Sequence, residues 1–123
     1  MNFSKFILGA VCATLFMVQP AGAAGRTDGS VIEVVTFKLK PGVSTEEFAP
    51  IDKRLETQHV SRQPGFVSRE SAAGANGEMV AIVHWRSIKD AEASMASFEK
   101  APAAAEFMAK IDASTMSMKR YQK

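Results

Sequence analysis

The nine residues 78–86, Glu-Met-Val-Ala-Ile-Val-His-Trp-Arg, alternate with a period of two, and this constrains the fold more than anything else in the chain. One face carries Met79, Ala81, Val83 and Trp85 and is wholly apolar. The other carries Glu78, Val80, Ile82, His84 and Arg86, apolar at its centre and polar at its ends. A strand with two apolar faces must be covered on both sides. Helices of the same chain can cover the first face, and a second copy of the chain is the natural cover for the other.

The neighbouring segments fit that sheet. Residues 31–39 form a second β-rich run, with Val31, Val35, Phe37 and Leu39 on one face and Ile32, Val34 and Thr36 on the other. Pro41-Gly42 ends it, and Ser44-Thr45-Glu46-Glu47 reads as a capping box that opens a helix. That helix carries Phe48, Ile51, Leu55 and His59 at helical spacing, with Asp52, Lys53 and Glu56 expected outward. Gln63-Pro64-Gly65 stops it. A weaker strand over 66–73 then reaches Gly74-Ala75-Asn76-Gly77, a hairpin signal leading into 78–86.

Ser87 and Asp90 open a second helix with the stripe Ile88, Ala91, Met95 and Phe98. Pro102 starts a third, short helix carrying Ala104, Phe107, Met108 and Ile111. Residues 114–121 close the chain as a strand with Met116 and Met118 on one face. The order β-α-β-β-α-α-β is an α+β, ferredoxin-like arrangement with an antiparallel sheet and one extra helix.

The first 23 residues belong to a different problem. Lys5 precedes a thirteen-residue uncharged apolar run over 6–18. Gln19-Pro20 breaks that run, and Ala21-Gly22-Ala23 supplies small residues at a cleavage position. This layout predicts a signal peptide over 1–23, a flexible lead over 24–30 and one domain over 31–123, in a bacterial periplasm or secreted. The run is shorter than the roughly 20 residues a membrane span needs, so no anchor is expected after cleavage. Cys12 follows Val11, which argues against lipid attachment at that cysteine.

Cleavage leaves 100 residues with 14 basic and 13 acidic side chains and no cysteine. A disulfide and a catalytic thiolate are thereby excluded. No Lys/Arg run exceeds two residues, so the footprint of a nucleic-acid binder is missing. A composition 46% hydrophobic and 23% charged excludes disorder. Two histidines without a helix-spaced His/Glu partner predict no metal site.

Three pieces carry a family likeness: the strand running into Lys40-Pro41-Gly42, then Gln63-Pro64-Gly65-Phe66, then Val83-His84-Trp85-Arg86-Ser87 followed by Asp90-Ala91. Together they resemble the antibiotic biosynthesis monooxygenase-like family of dimeric α/β barrels. The resemblance implies a homodimer and a pocket between helices and sheet with Trp85 on its wall. It also implies cofactor-independent oxidation of a small aromatic or quinol, in which a phenolic group is deprotonated and the anion reacts with dioxygen. The chain departs from the family around Trp85, where Ala81, Val83, Ala91 and Met95 stand in place of polar partners. The haem-degrading branch implies an Asn on the first strand and a His on the helix after the tryptophan. Thr36 and Met95 are the residues available there, so no haem and no other cofactor is expected.

His59 is the expected catalytic base, because an imidazole suits proton abstraction near neutral pH. The alternative is a histidine held at a helix C-terminus by the dipole. Trp85, Thr36, Met95 and Phe107 are the expected substrate-binding residues. The alternative for Trp85 is a core anchor, and for Met116 and Met118 it is gap-filling packing. His84 alternates away from Trp85 and is expected at the dimer interface, paired with Glu78 or Glu33. Arg62, Arg69 and Arg86 could hold an anion or be ion-paired. A non-enzymatic ligand-binding or structural dimer is the alternative to an enzyme.

Overall fold

The computed structural model describes residues 30–123, so the predicted signal peptide and all of the lead except Ser30 lie outside the described residues. Ser30 itself is fixed: its Oγ donates to the Arg86 carbonyl at 2.7 Å, and its carbonyl accepts from Lys123 N at 2.8 Å. Four strands, β1 (Val31–Leu39), β2 (Phe66–Ala73), β3 (Glu78–Trp85) and β4 (Ile111–Gln122), form one antiparallel sheet in the order β2-β3-β1-β4. Three helices, α1 (Thr45–Gln58), α2 (Ile88–Phe98) and α3 (Pro102–Ala109), accompany it. This is the α+β ferredoxin-like order expected from the hydrophobic periods.

Local chemistry explains the element ends. Ser44 caps α1 by accepting from Glu47 N at 3.0 Å, and Ser87 caps α2 by accepting from Asp90 N at the same distance. Asn76 and Gly77 both hold positive φ, 57° and 76°, as the tight β2–β3 turn requires. Gly65, at φ +82°, sits directly against the start of α2, where an added Cβ would come within 2.6 Å of Asp90 Cβ and nearer still to its carboxylate. The Pro-Gly-Phe and Trp-x-Ser-x-x-Asp pieces are therefore two halves of one joint. The Arg86 N–H to Gly65 carbonyl bond, 2.9 Å, closes it.

The core lies between the inner sheet face and α1 with α3. Phe37, Phe48 and Phe107 meet with ring centroids 5.2–5.8 Å apart and so tie β1, α1 and α3 together. Trp85 is 1% exposed and lies edge-on to Phe66 at 6.0 Å. An aromatic buried to that degree contributes roughly 4–6 kcal/mol of gross burial energy. The other sheet face presents Ile32, Val34, Val80 and Ile82, all half-buried within one chain.

Two irregular registers change which side chains face inward. On β2 the pairing jumps between Phe66 and Ser68, leaving Val67 as the extra residue, so Phe66 and then Arg69, Ser71 and Ala73 share the inner face. On β4 the pairing advances five positions while β1 advances two, so Ile111 points inward at one end and Met116, Met118 and Arg120 at the other. Thr115 fills the irregularity by accepting from Lys38 N at 2.9 Å through its Oγ1. The strand also starts earlier than expected, because α3 ends at Ala109 and Ile111 pairs with Leu39 rather than continuing the helical stripe.

The expectation that Asp52 and Glu56 point outward is corrected. Asp52 is 8% exposed and binds Arg69 through two bonds, Nη2 to Oδ1 at 2.8 Å and Nη1 to Oδ2 at 3.2 Å. Glu56 approaches the same guanidinium at 3.5 Å, and Ser71 donates to Asp52. The bulge at Val67 turns Arg69 under α1, and a buried guanidinium needs an anion.

Candidate functional site

Only Ala91 and Ser94 of α2 are buried, so this helix stands off the sheet and its apolar stripe roofs a space instead of filling it. The space is a cavity of about 490 Å³, within the range of small-molecule sites. Its floor is the inner sheet face, including Phe37, Val83 and Trp85, and Phe98 and Phe107 close it from the helices. Met95 and Met118, 39% and 37% exposed, line it where it meets solvent. Met108 and Met116 complete a lining of four thioethers, polarisable and adaptable against a flat ring.

Two charged groups on the floor break the apolar wall. Arg69 is already held by Asp52 and Glu56. Glu33 is 5% exposed and held between two donors: Trp85 Nε1 at 3.3 Å to Oε1, and Arg120 Nε at 2.7 Å to Oε2. Trp85 thus lines the cavity with its N–H fixed on Glu33. Among the described residues no cluster of three His, Cys, Asp or Glu could hold a metal ion, and no helix is long and apolar enough to cross a membrane.

The structure brings Trp85, Met95 and Phe107 together on this cavity. It places Thr36 elsewhere: alternation along β1 sets it opposite Val80 and Ser117 on the outer sheet face. His59 is also outside the lining. It terminates α1 and turns into a short 3-10 segment, Val60–Arg62, where it is 7% exposed. Its Nε2 lies 3.3 Å from Ser97 Oγ and its Nδ1 3.4 Å from Gln63 Nε2, with Phe98 edge-on at 6.1 Å between it and the cavity. His84 stands on the outer face opposite Ile32 and Ser68. Glu33 points inward, so the expected His84–Glu33 pairing does not form.

Glu33 and Arg120 are the polar residues that sequence reasoning missed, and Arg69, expected to hold an anion or be ion-paired, is ion-paired. Glu33 was legible, since it shares parity with Val31, Val35 and Phe37, but its charge argued for the outside. Arg120 shares the parity of Met116 and Met118 and was hidden by its charge in the same way, whereas the inward turn of Arg69 follows the irregular register at Val67, which reverses parity.

No family model matches the sequence, and no curated protein matches it. Solved structures do match in fold. SnoaB, a cofactor-independent oxygenase from Streptomyces nogalater, superimposes with a TM-score of 0.63 at 21% identity, over 76% of this chain and 91% of that one. An antibiotic-biosynthesis-monooxygenase-type protein from Bordetella bronchiseptica gives 0.62 at 12% identity, over 76% and 95%. A conserved protein from Methanosarcina mazei Go1 gives 0.58 at 14%, over 78% and 95%. The chain therefore has the ferredoxin-like α/β fold of the antibiotic biosynthesis monooxygenase structures, as its Pro-Gly-Phe and Trp-x-Ser-x-x-Asp-Ala pieces implied.

Proposed function

We propose that this chain is an exported protein that takes a small, flat aromatic or quinol into the cavity beside Trp85 and serves its cofactor-independent oxidation by dioxygen. The observation that carries this reading is the cavity itself, about 490 Å³, walled by Trp85, Phe98, Phe107 and methionines. Such a lining suits an uncharged ring and excludes water from a phenolate once one forms. In the overall reaction the ring carbon para to the phenolic hydroxyl goes from C–H to C=O while the hydroxyl becomes the second carbonyl, one oxygen atom of O₂ entering the quinone product and the other leaving as water with the ring hydrogen and the phenolic proton.

A homodimer is part of the proposal. A second copy would cover Ile32, Val34, Val80 and Ile82, whose exposure in one chain would otherwise favour association without a defined geometry. Export rests on the pattern of residues 1–23.

One observation favours a second reading, binding without turnover: His59 is engaged by Ser97 and Gln63 behind Phe98 and does not reach the cavity. An oxygen electrode and equilibrium dialysis on the mature chain, with a panel of quinols and anthrones, separate the two. Oxygen uptake coupled to binding supports the oxidation. Binding without uptake leaves the ligand-binding reading, and absence of both overturns the proposal.

A further inference from the structure

Glu33 is a carboxylate set in an apolar cavity with part of its hydrogen-bonding capacity in use. Its side chain is 7% exposed, and Arg120 and Trp85 each donate once, to different oxygens. A carboxylate offers about four lone-pair sites, so each oxygen keeps an acceptor position beyond these two bonds. The Arg120 ion pair offsets the desolvation of the charge, and the Trp85 N–H fixes the plane of the group. Val35 and Phe37 follow it along the same face of β1, and Val83 lies opposite it on β3, so the surroundings provide hydrocarbon.

We propose that Glu33 selects the ligand by accepting a hydrogen bond from its hydroxyl group. The favoured ligand class is then an uncharged flat ring system with at least one acidic O–H, such as a phenol, naphthol or hydroquinone. A plain hydrocarbon fills the cavity but leaves the carboxylate's acceptor positions unsatisfied, and buried polar groups without partners weaken binding. An aryl carboxylate brings a second negative charge to a low-dielectric site and is rejected. Trp85 is a positioning residue as well as a wall, because its N–H orients the acceptor that the ligand meets. This inference rests on the cavity being the ligand site, as proposed above.

Equilibrium dialysis of the full mature chain with 1-naphthol, naphthalene, 1-methoxynaphthalene and 1-naphthoate tests it. Hydrogen bonds to charged groups predict that 1-naphthol binds at least about tenfold tighter than naphthalene or the methyl ether, with 1-naphthoate weakest. Glu33→Gln, which keeps a neutral acceptor, should reduce the preference to a few-fold, and Glu33→Leu should abolish the preference for naphthol over naphthalene. Equal binding of naphthol and its methyl ether by the unaltered protein overturns the role of Glu33 while leaving the cavity as a ligand site. A naphthol preference that survives in Glu33→Leu overturns it as well. Binding of none of the four overturns the cavity reading and this one together. The comparison of ligands on the unaltered chain decides the question even if a variant does not fold.

Discussion

Arg69 and Asp52 give the sharpest test of how the inner face is built. The Arg69 side chain is 3% exposed and that of Asp52 12%, with two bonds between them at 2.8 and 3.2 Å. Removing one partner strands the other, which costs about 3–5 kcal/mol for buried pairs. Asp52→Ala should fall near the lower end, because Glu56 still stands 3.5 Å from the guanidinium. Arg69→Met leaves Asp52 with only Ser71 as donor. The double variant Asp52→Leu/Arg69→Met replaces both charges with hydrocarbon and should lie within about 1–2 kcal/mol of the unaltered protein. Urea unfolding followed by fluorescence is well suited, because Trp85 is the sole tryptophan and is 1% exposed. A loss of about 3 kcal/mol would lower Tm by roughly 12–24 °C in a domain of this size. All samples must share one protomer concentration, since a dimer couples stability to mass action. Single variants that each cost under about 1 kcal/mol and add in the double would refute the buried pair and the inward turn of β2 behind it.

Gly65→Ala should destabilise by about 2–4 kcal/mol, combining a positive-φ penalty with overpacking against Asp90, and Gly65→Ala/Asp90→Ala should cost less than the two singles summed. Thermal melts check this, and additivity would argue against the joint. Ala81→Phe, placing a ring in the cavity from the floor, should abolish naphthol binding with the fold retained; unchanged binding would place the ligand elsewhere. The Glu106 carboxyl is held below its usual range by its hydrogen bond to Arg54, which joins α3 to α1. A lowered folded-state pKa means that this bridge stabilises above the ordinary glutamate range and is lost as pH falls through the folded value. Arg54→Met should therefore affect stability at pH 7 and have no effect in strong acid, and an equal effect at both would contradict the linkage. His59→Ala should leave ligand affinity within about twofold, since Phe98 separates it from the cavity, and a larger loss in equilibrium dialysis would show a direct contact.

The sequence made the architecture legible where period and punctuation agree. The alternation at 78–86, the Ser44 and Ser87 caps and the Asn76-Gly77 turn each specify one local structure, and the structure uses each as expected. Trp85 was placed on the pocket wall by the family resemblance, and Met95 and Phe107 lie on the apolar stripes of their helices. Illegibility began at the β2 bulge. One extra residue at Val67 reverses the parity that strand reading relies on and hides the inward turn of Arg69. Helical spacing likewise put His59 in line with Leu55, but α1 ends at Gln58 and the chain changes pitch there. Thr36 was carried to the site by family analogy against its own strand parity. Glu33 was hidden by its charge, because burial of a carboxylate depends on partners fifty-two and eighty-seven residues away.

The central claim is that the space beside Trp85 holds an aromatic hydroxy compound, and a crystal structure of the mature chain grown with 1-naphthol tests it most directly. The account predicts ring density against Trp85 and the methionines, with the hydroxyl oxygen within about 2.5–3.0 Å of a Glu33 carboxylate oxygen. An empty cavity at saturating naphthol, or a ring bound on the outer sheet face beside Ile32 and Val34, would contradict it.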